Sequence, residues 1–308
     1  MTLQQMEYIV AVARTHHFAN AARECGVTQP TLSAMIRKLE DELGVTLFER
    51  SSQQVQLTPI GRLVVAQAKE MLGVEQRIKE IIAEEQNELG GTFRLAILPT
   101  IAPYLLPRFM PALSRKYPEL DIRVVEMKTS HLPKALENGD VDAAVAVTVK
   151  ELSELQHRVL YYEQFVAYVS REDPLFMRKS ITVADLSKEF LWLLDEGHCF
   201  RDQLVKFCKL KSAARSKTTY RLGSIETFMR MVEGGQGVTF IPELALEQLN
   251  ERQKELVRPF GLPIPVREVV MLTARNFIRR SVLDILIASI IDCVPQRMLK
   301  LNNTEQRI

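Results

Sequence analysis

Thr28-Gln29-Pro30-Thr31-Leu32-Ser33-Ala34-Met35-Ile36-Arg37-Lys38-Leu39 decides the fold of the N-terminal region. Thr28 is a helix cap, and Pro30 falls in the first turn, where its missing N–H costs nothing. Leu32, Met35, Ile36 and Leu39 recur at helical spacing and face inward, which turns Gln29, Thr31, Ser33, Ala34, Arg37 and Lys38 outward. Upstream, Leu3, Met6, Ile9, Val10 and Ala13 trace one helix that stops at His16-His17. Phe18–Cys25 forms a second, which ends at Gly26, a residue suited to the position just past a helix. Downstream, Leu47–Arg50 and Val55–Thr58 read as strands joined by Ser51-Ser52-Gln53-Gln54. Residues 1–58 therefore read as a winged helix-turn-helix.

From Pro59 to about Gln86 the chain is nearly continuous helix-forming sequence with no further proline. At 1.5 Å per residue such a helix extends roughly 40 Å, more than one small domain needs, so 59–89 reads as a linker and dimerisation helix. Its Leu63, Val74 and Ile78 are expected in a dimer seam. After Gly90-Gly91 strands and helices alternate. The expected strands are Phe93–Leu98, Asp121–Lys128, Val141–Val147, Phe165–Ser170, Phe190–Leu194, Thr218–Leu222, Val238–Phe240 and Glu268–Thr273. Between them lie helices Tyr104–Lys116, His131–Asn138, Val183–Leu186, Phe200–Lys209 and Ile225–Glu233, and Arg280–Ile291 closes the order. That succession predicts an α/β regulatory domain at 90–308 with a parallel sheet covered by helices. Two subdomains are expected, I at about 90–162 and 268–300 and II at about 163–267. The tail from Arg297 to Ile308 has little to bury and is expected to be mobile.

Composition narrows the function classes. With 308 residues, 46% apolar and 25% charged, the chain is an ordinary multidomain globular protein. The longest apolar runs, Val141–Val149 and Leu286–Ile291, fall short of the roughly 18 residues of a membrane span. The first residues lack the pattern of a signal peptide, which predicts a cytoplasmic protein whose thiols start reduced. Cys25, Cys199, Cys208 and Cys293 are too scattered for a disulfide framework. The net charge of +2 favours no partner. Over residues 1–66, Arg14, Arg23, Arg37, Lys38, Arg50 and Arg62 balance Glu7, Glu24, Glu40, Asp41, Glu42 and Glu49, so any nucleic-acid site depends on where charges sit.

His17-Phe18-Ala19-Asn20-Ala21-Ala22, Thr28 to Ser33, Leu43-Gly44-Val45-Thr46-Leu47-Phe48-Glu49-Arg50 and Leu57-Thr58-Pro59-Ile60-Gly61 closely resemble the DNA-binding domain of LysR-type transcriptional regulators. Gly223-Ser224-Ile225-Glu226-Thr227 and Gly237-Val238-Thr239-Phe240-Ile241-Pro242 resemble the effector domain of that family, a two-subdomain fold like periplasmic binding proteins. Gly197-His198-Cys199-Phe200-Arg201-Asp202-Gln203, with Cys208 nine residues after Cys199, resembles the family's peroxide sensors.

That resemblance implies a regulator, not an enzyme, in which Cys199 is the peroxide-reactive thiol and Cys208 the resolving thiol of a reversible disulfide. It implies that Thr100, Thr129, His198, Asp202 and Arg267 support the peroxide site. On the third helix, Gln29, Thr31, Ser33 and Arg37 become candidates for base edges or the groove, and Lys38 and Arg50 for phosphates. The implied partners are promoter DNA, a homodimer assembling to a homotetramer, RNA polymerase, and a reductant of glutaredoxin or thioredoxin type. No cofactor, metal or membrane is expected; His198, Cys199 and Cys208 lack a fourth nearby ligand for zinc. A regulator answering to a small metabolite in the inter-subdomain cleft is the alternative within the family, and a thiol peroxidase is the rival outside it. Cys25 reads as a buried, inert thiol, and Cys293, which follows the apolar face of the last helix, reads as structural.

A peroxide-reactive Cys199 calls for a pKa below the thiol reference of about 8.5, with Arg267 and the start of the Phe200–Lys209 helix as the stabilising groups. If that segment is helical, the Cα atoms of Cys199 and Cys208 stand roughly 13 Å apart, whereas a disulfide needs about 4.4–6.8 Å. Closing the bond therefore requires the helix to unwind.

Overall fold

Local capping sets the N-terminal helices. In the computed structural model, which describes residues 1–49, 55–85, 89–188, 191–194, 198–208, 224–235 and 237–308, the chain divides into units at 1–87 and 88–308. Helix α1 (Leu3–Thr15) opens on a reciprocal cap between Thr2 and Gln5 and ends at His16, in the left-handed conformation. Helix α2 (Phe18–Glu24) follows. Helix α3 (Gln29–Leu43) starts where Thr28 Oγ1 accepts from the Thr31 N–H, and it ends on Gly44 at φ +68°.

Strands β1 (Phe48–Glu49) and β2 (Gln56–Leu57) form the wing as an antiparallel pair, with Phe48 opposite Leu57. Each is shorter than the sequence reading. Arg50 and the turn at 51–54 lie outside the described residues. Helix α4 (Pro59–Glu85) starts tightly against the wing: a Cβ on Gly61 would lie 2.1 Å from the Leu47 carbonyl oxygen, so no side chain fits there. Its Val65 and Ala68 complete a core with Met6, Ile9, Leu32 and Ile36. Leu63, Val74, Ile78, Ile81 and Ile82 remain exposed.

The second unit is built on strands β3 (Gly91–Ile97), β4 (Leu120–Glu126), β5 (Ala143–Val147), β6 (Gln156–Val169), β7 (Val238–Pro242), β8 (Val257–Pro259), β9 (Ile264–Thr273) and β10 (Glu305–Arg307). Its helices are α5 (Ala102–Lys116), α6 (Leu132–Glu137), α7 (Cys199–Phe207), α8 (Ile225–Glu233), α9 (Glu251–Lys254) and α10 (Arg280–Cys293). The sheet order is β4-β3-β5-β9-β6-β7, with β8 on β6 and β10 on β9.

The expected all-parallel sheet is corrected to a mixed one. Strands β4, β3 and β5 are parallel, but β9 lies antiparallel to both β5 and β6, and β7 and β8 are antiparallel to β6. Strand β9, far along the chain, enters between β5 and β6 and runs antiparallel to both, which the alternation of strands and helices along the sequence does not signal.

The predicted strand Phe165–Ser170 covers only the last five residues of β6. The helix expected at Val183–Leu186 is a 3-10 turn at Asp185–Lys188, and of Phe190–Leu194 the described residues keep a single bridge between Leu191 and Val238. The strand expected at Thr218–Leu222 lies outside the described residues. The tail is ordered, contrary to the expectation of mobility. Met298 is buried, β10 adds a parallel edge to β9, and Arg307 pairs with Glu268 at 2.9 Å. Backbone pairing and one methionine anchor it, neither of which composition reveals.

Candidate redox centre and nucleic-acid interface

Helix α7 carries both candidate thiols. His198, itself buried, is its N-cap, and its carbonyl accepts from the backbone N–H groups of Arg201 and Asp202. Cys199 is the first helical residue, and Cys208 closes the helix by donating its N–H to the Leu204 carbonyl at 2.8 Å. Both thiols are free and buried. With nine intervening steps at about 1.5 Å each, the helix holds the two Cα atoms roughly 13 Å apart.

Three neighbours converge on the first turn. Arg267, on β9, is 1% exposed and lies with its guanidinium carbon 5.1 Å from the centre of the Phe200 ring. It donates from Nη1 to Thr100 Oγ1 at 3.1 Å and from Nη2 to the Thr100 carbonyl at 3.0 Å. Thr129 opens a 3-10 turn after β4, and its buried hydroxyl acts on the Cys199 thiol. Among the described residues it makes no bond of full hydrogen-bond geometry, so its bonding capacity is largely unused.

Electrostatics at Cys199 correct one expectation. Burial pushes the thiol up, while Thr129, Arg267 and the Phe200 backbone N–H pull it down and Asp202 adds a smaller upward push. Burial wins, and the thiol sits above its ordinary value. Cys208 has no such stabilisers, and burial pushes it from 9.0 up to about 11.

The structure thus gathers Thr100, Thr129, His198, Cys199 and Arg267, all buried. Asp202 stands apart: it is exposed and pairs with Arg201 at 3.5 Å. The sequence reading missed Glu163, whose carboxylate accepts from Arg267 Nε at 2.8 Å and Nη2 at 2.6 Å, both groups being 1% exposed. A lone acid within the apolar run from Leu160 to Val169 was the signal for it.

Cys25 is half-buried, not buried as expected, because it caps the end of α2 at the edge of its core. Cys293, also half-buried, donates to the Ile290 carbonyl at 3.1 Å. Burial pushes both thiols up. Among the described residues no group of three His, Cys, Asp or Glu side chains could hold a metal ion.

On α3, Leu32, Ile36 and Leu39 are buried, while Gln29, Thr31, Arg37 and Lys38 are exposed and Ser33 is half-exposed. The Thr31 hydroxyl is engaged with Thr28 Oγ1 at 2.8 Å. Gln29, Arg37 and Lys38 carry exposed donors, the chemistry that a recognition helix offers to DNA. Arg50 lies outside the described residues.

Residues 3–62 match the bacterial regulatory helix-turn-helix protein domain of the lysR family, and residues 86–292 match the LysR substrate binding domain. A hydrogen peroxide-inducible genes activator of Dickeya chrysanthemi is 38% identical over 271 residues, 88% of each chain. A full-length OxyR variant of Pseudomonas aeruginosa is 36% identical with TM-score 0.76, over 96% of this chain and 99% of that one. The crystal structure of OxyR from Porphyromonas gingivalis is 47% identical with TM-score 0.66, over 70% of this chain and 99% of that one. The chain belongs to the LysR family of transcriptional regulators and, within it, to the OxyR group.

Proposed function

We propose that this protein is a DNA-binding transcriptional regulator that senses hydrogen peroxide through Cys199 and Cys208 and controls oxidative-stress genes. The observation that carries the reading is the burial of two free thiols at opposite ends of α7, one of them beside Thr100, Thr129, His198 and Arg267. The Cys199 thiolate attacks one peroxide oxygen, the O–O bond breaks, and the leaving oxygen departs as water after taking up a proton. The resulting sulfenic acid is attacked by the Cys208 thiolate, the S–O bond breaks, and a second water leaves. Two thiols and one peroxide thus give one disulfide and two waters. Arg267 and the N–H groups of the first α7 turn stabilise the thiolate, and the Thr129 hydroxyl beside the thiol can hold a peroxide oxygen.

Unwinding of α7 carries the signal onward, since the helix separates the thiols beyond reach of a bond. We assign DNA reading to residues 1–58 and pairing of two chains to the exposed apolar face of the 59–89 segment. Redox sensing falls to 90–308, with two such dimers forming a tetramer on promoter DNA. RNA polymerase is the downstream partner, and a glutaredoxin- or thioredoxin-type protein resets the disulfide in the cytoplasm. Among the described residues no helix is long and apolar enough to cross a membrane. The test is peptide mass mapping after one equivalent of peroxide. A single Cys199–Cys208 disulfide, abolished in Cys199→Ser and replaced by a Cys199 sulfenic acid in Cys208→Ser, is expected. Oxidation of Cys25 or Cys293 instead would overturn the assignment.

A further inference from the structure

Glu163 has no part in the reaction just described, yet it is the most thoroughly enclosed acid at the site. We propose that Glu163 is a positioning residue for the sensor thiol: by gripping Arg267 and offsetting its charge, it sets how strongly that cation acts on Cys199. The inference rests on the reading of Cys199 as the peroxide-reactive thiol.

A guanidinium has five N–H groups. In this site Nε–H and one Nη2–H go to Glu163 Oε2, the other Nη2–H goes to the Thr100 carbonyl, and one Nη1–H goes to Thr100 Oγ1. One Nη1–H is left for a thiolate or a peroxide oxygen. Glu163 is itself fixed, because its Oε1 accepts from the Leu244 N–H at 3.0 Å. Arg267 is therefore held by Glu163 and Thr100 on two sides, with the Phe200 ring against it.

The formal charges of the pair cancel, so the thiol meets a dipole where a bare guanidinium would present a full positive charge. The other groups around the pair do not replace the missing cation. The Tyr104 and Tyr161 phenols face it, Glu226 accepts from Tyr104 at 2.9 Å, Glu243 near Glu163 is paired with Arg297, and Arg108 on the far side of Tyr161 is paired with Glu247. On α7, His198 adjoins the thiol and exposed Asp202 opposes its ionisation. Arg267 is the cation that favours the thiolate, and Glu163 governs its strength.

The test follows peroxide-driven loss of the Cys199 thiol across pH in the full chain, in the parent, Glu163→Gln and Glu163→Asp. Gln keeps the shape and removes the charge, and Asp keeps the charge but draws it back. The pH of half-maximal rate should fall by about one unit in Glu163→Gln, with Glu163→Asp between it and the parent. Hydrogen exchange over 198–208 should match the parent in both. An unchanged midpoint overturns the proposal, as does a fall accompanied by faster exchange, which would assign the effect to loosening. If Glu163→Gln does not fold, Glu163→Asp decides by the same two criteria. A parent whose Cys199 ignores peroxide at every pH overturns the function proposed above. In that case the pH dependence of Cys199 alkylation by a small haloacetamide, under the same criteria, still decides the role of Glu163.

Discussion

Helices α3 and α7 are both amphipathic and both carry the residues of a proposed function, but they are finished in opposite ways. Helix α3 is secured at each end, by the Thr28 side chain at its start and by left-handed Gly44 at its close, and its polar residues face outward. Binding through such a face leaves the helix intact. Helix α7 has a cap residue, His198, whose side chain makes no cap hydrogen bond, and its chemically active atoms, the two thiols, are buried. Using those atoms together requires the helix to come apart. A reading helix is built to persist, whereas a switching helix holds its stability in packing that the reaction can withdraw.

The comparison breaks most readily at the packing of α7. Leu204 is fully buried, and Leu204→Ala should cost the reduced state about 2–5 kcal/mol. If that packing is lost on oxidation, the disulfide becomes correspondingly harder to reduce, by about 30 mV for each 1.4 kcal/mol. A glutathione redox titration beside the parent measures the shift. An equal potential would mean that Leu204 keeps its contacts in both states.

A smaller effect is expected from pH. Cys208 is raised on folding from 9.0 to about 11, so its neutral thiol contributes stability that is complete below pH 9 and lost as pH climbs through 11. Urea unfolding of the reduced protein should show this decline, and Cys208→Ala should flatten it over that interval. Equal slopes in parent and variant would assign the decline to other groups.

Single contacts on α3 should give the smallest changes. Gln29→Ala should relax discrimination at particular base pairs by about 1–3 kcal/mol. Lys38→Ala should weaken all sequences alike and reduce the salt dependence by about one released counterion. Titrations against matched and mismatched duplexes at several salt concentrations separate the two. Interchanged behaviour would mean that α3 enters the groove in a different orientation.

How far the sequence revealed these features follows their physics. Helix α8 matches its expected limits, Ile225–Glu233, because Ser224 caps it and its apolar residues repeat within the segment. Helix α3 was legible for the same local reasons. The stretch 156–164 of β6 is not, because Gln156, His157, Arg158, Glu163 and Gln164 break the apolar pattern. Those residues are accommodated by pairing with β9, a strand about a hundred positions away. Glu163 falls in that stretch, and its partner Arg267 lies 104 residues on in the chain. The tail was misread likewise. Its anchors include the bond from Gln203 Nε2 on α7 to the Ile308 carbonyl at 2.8 Å, a contact that no local pattern signals. The Cys199 thiol was expected to be lowered because neighbouring charges can be inferred from a sequence, whereas the depth of burial that outweighs them cannot.

The central claim is that α7 exists only in the reduced state. Hydrogen exchange of the amides at 198–208, measured in the reduced protein and after oxidation by one equivalent of peroxide, tests it most directly. Slow exchange through the helical amides when reduced, and exchange faster by an order of magnitude or more when the disulfide is closed, is the result expected. Equal protection in both states, with the Cys199–Cys208 bond verified by mass mapping, would contradict it.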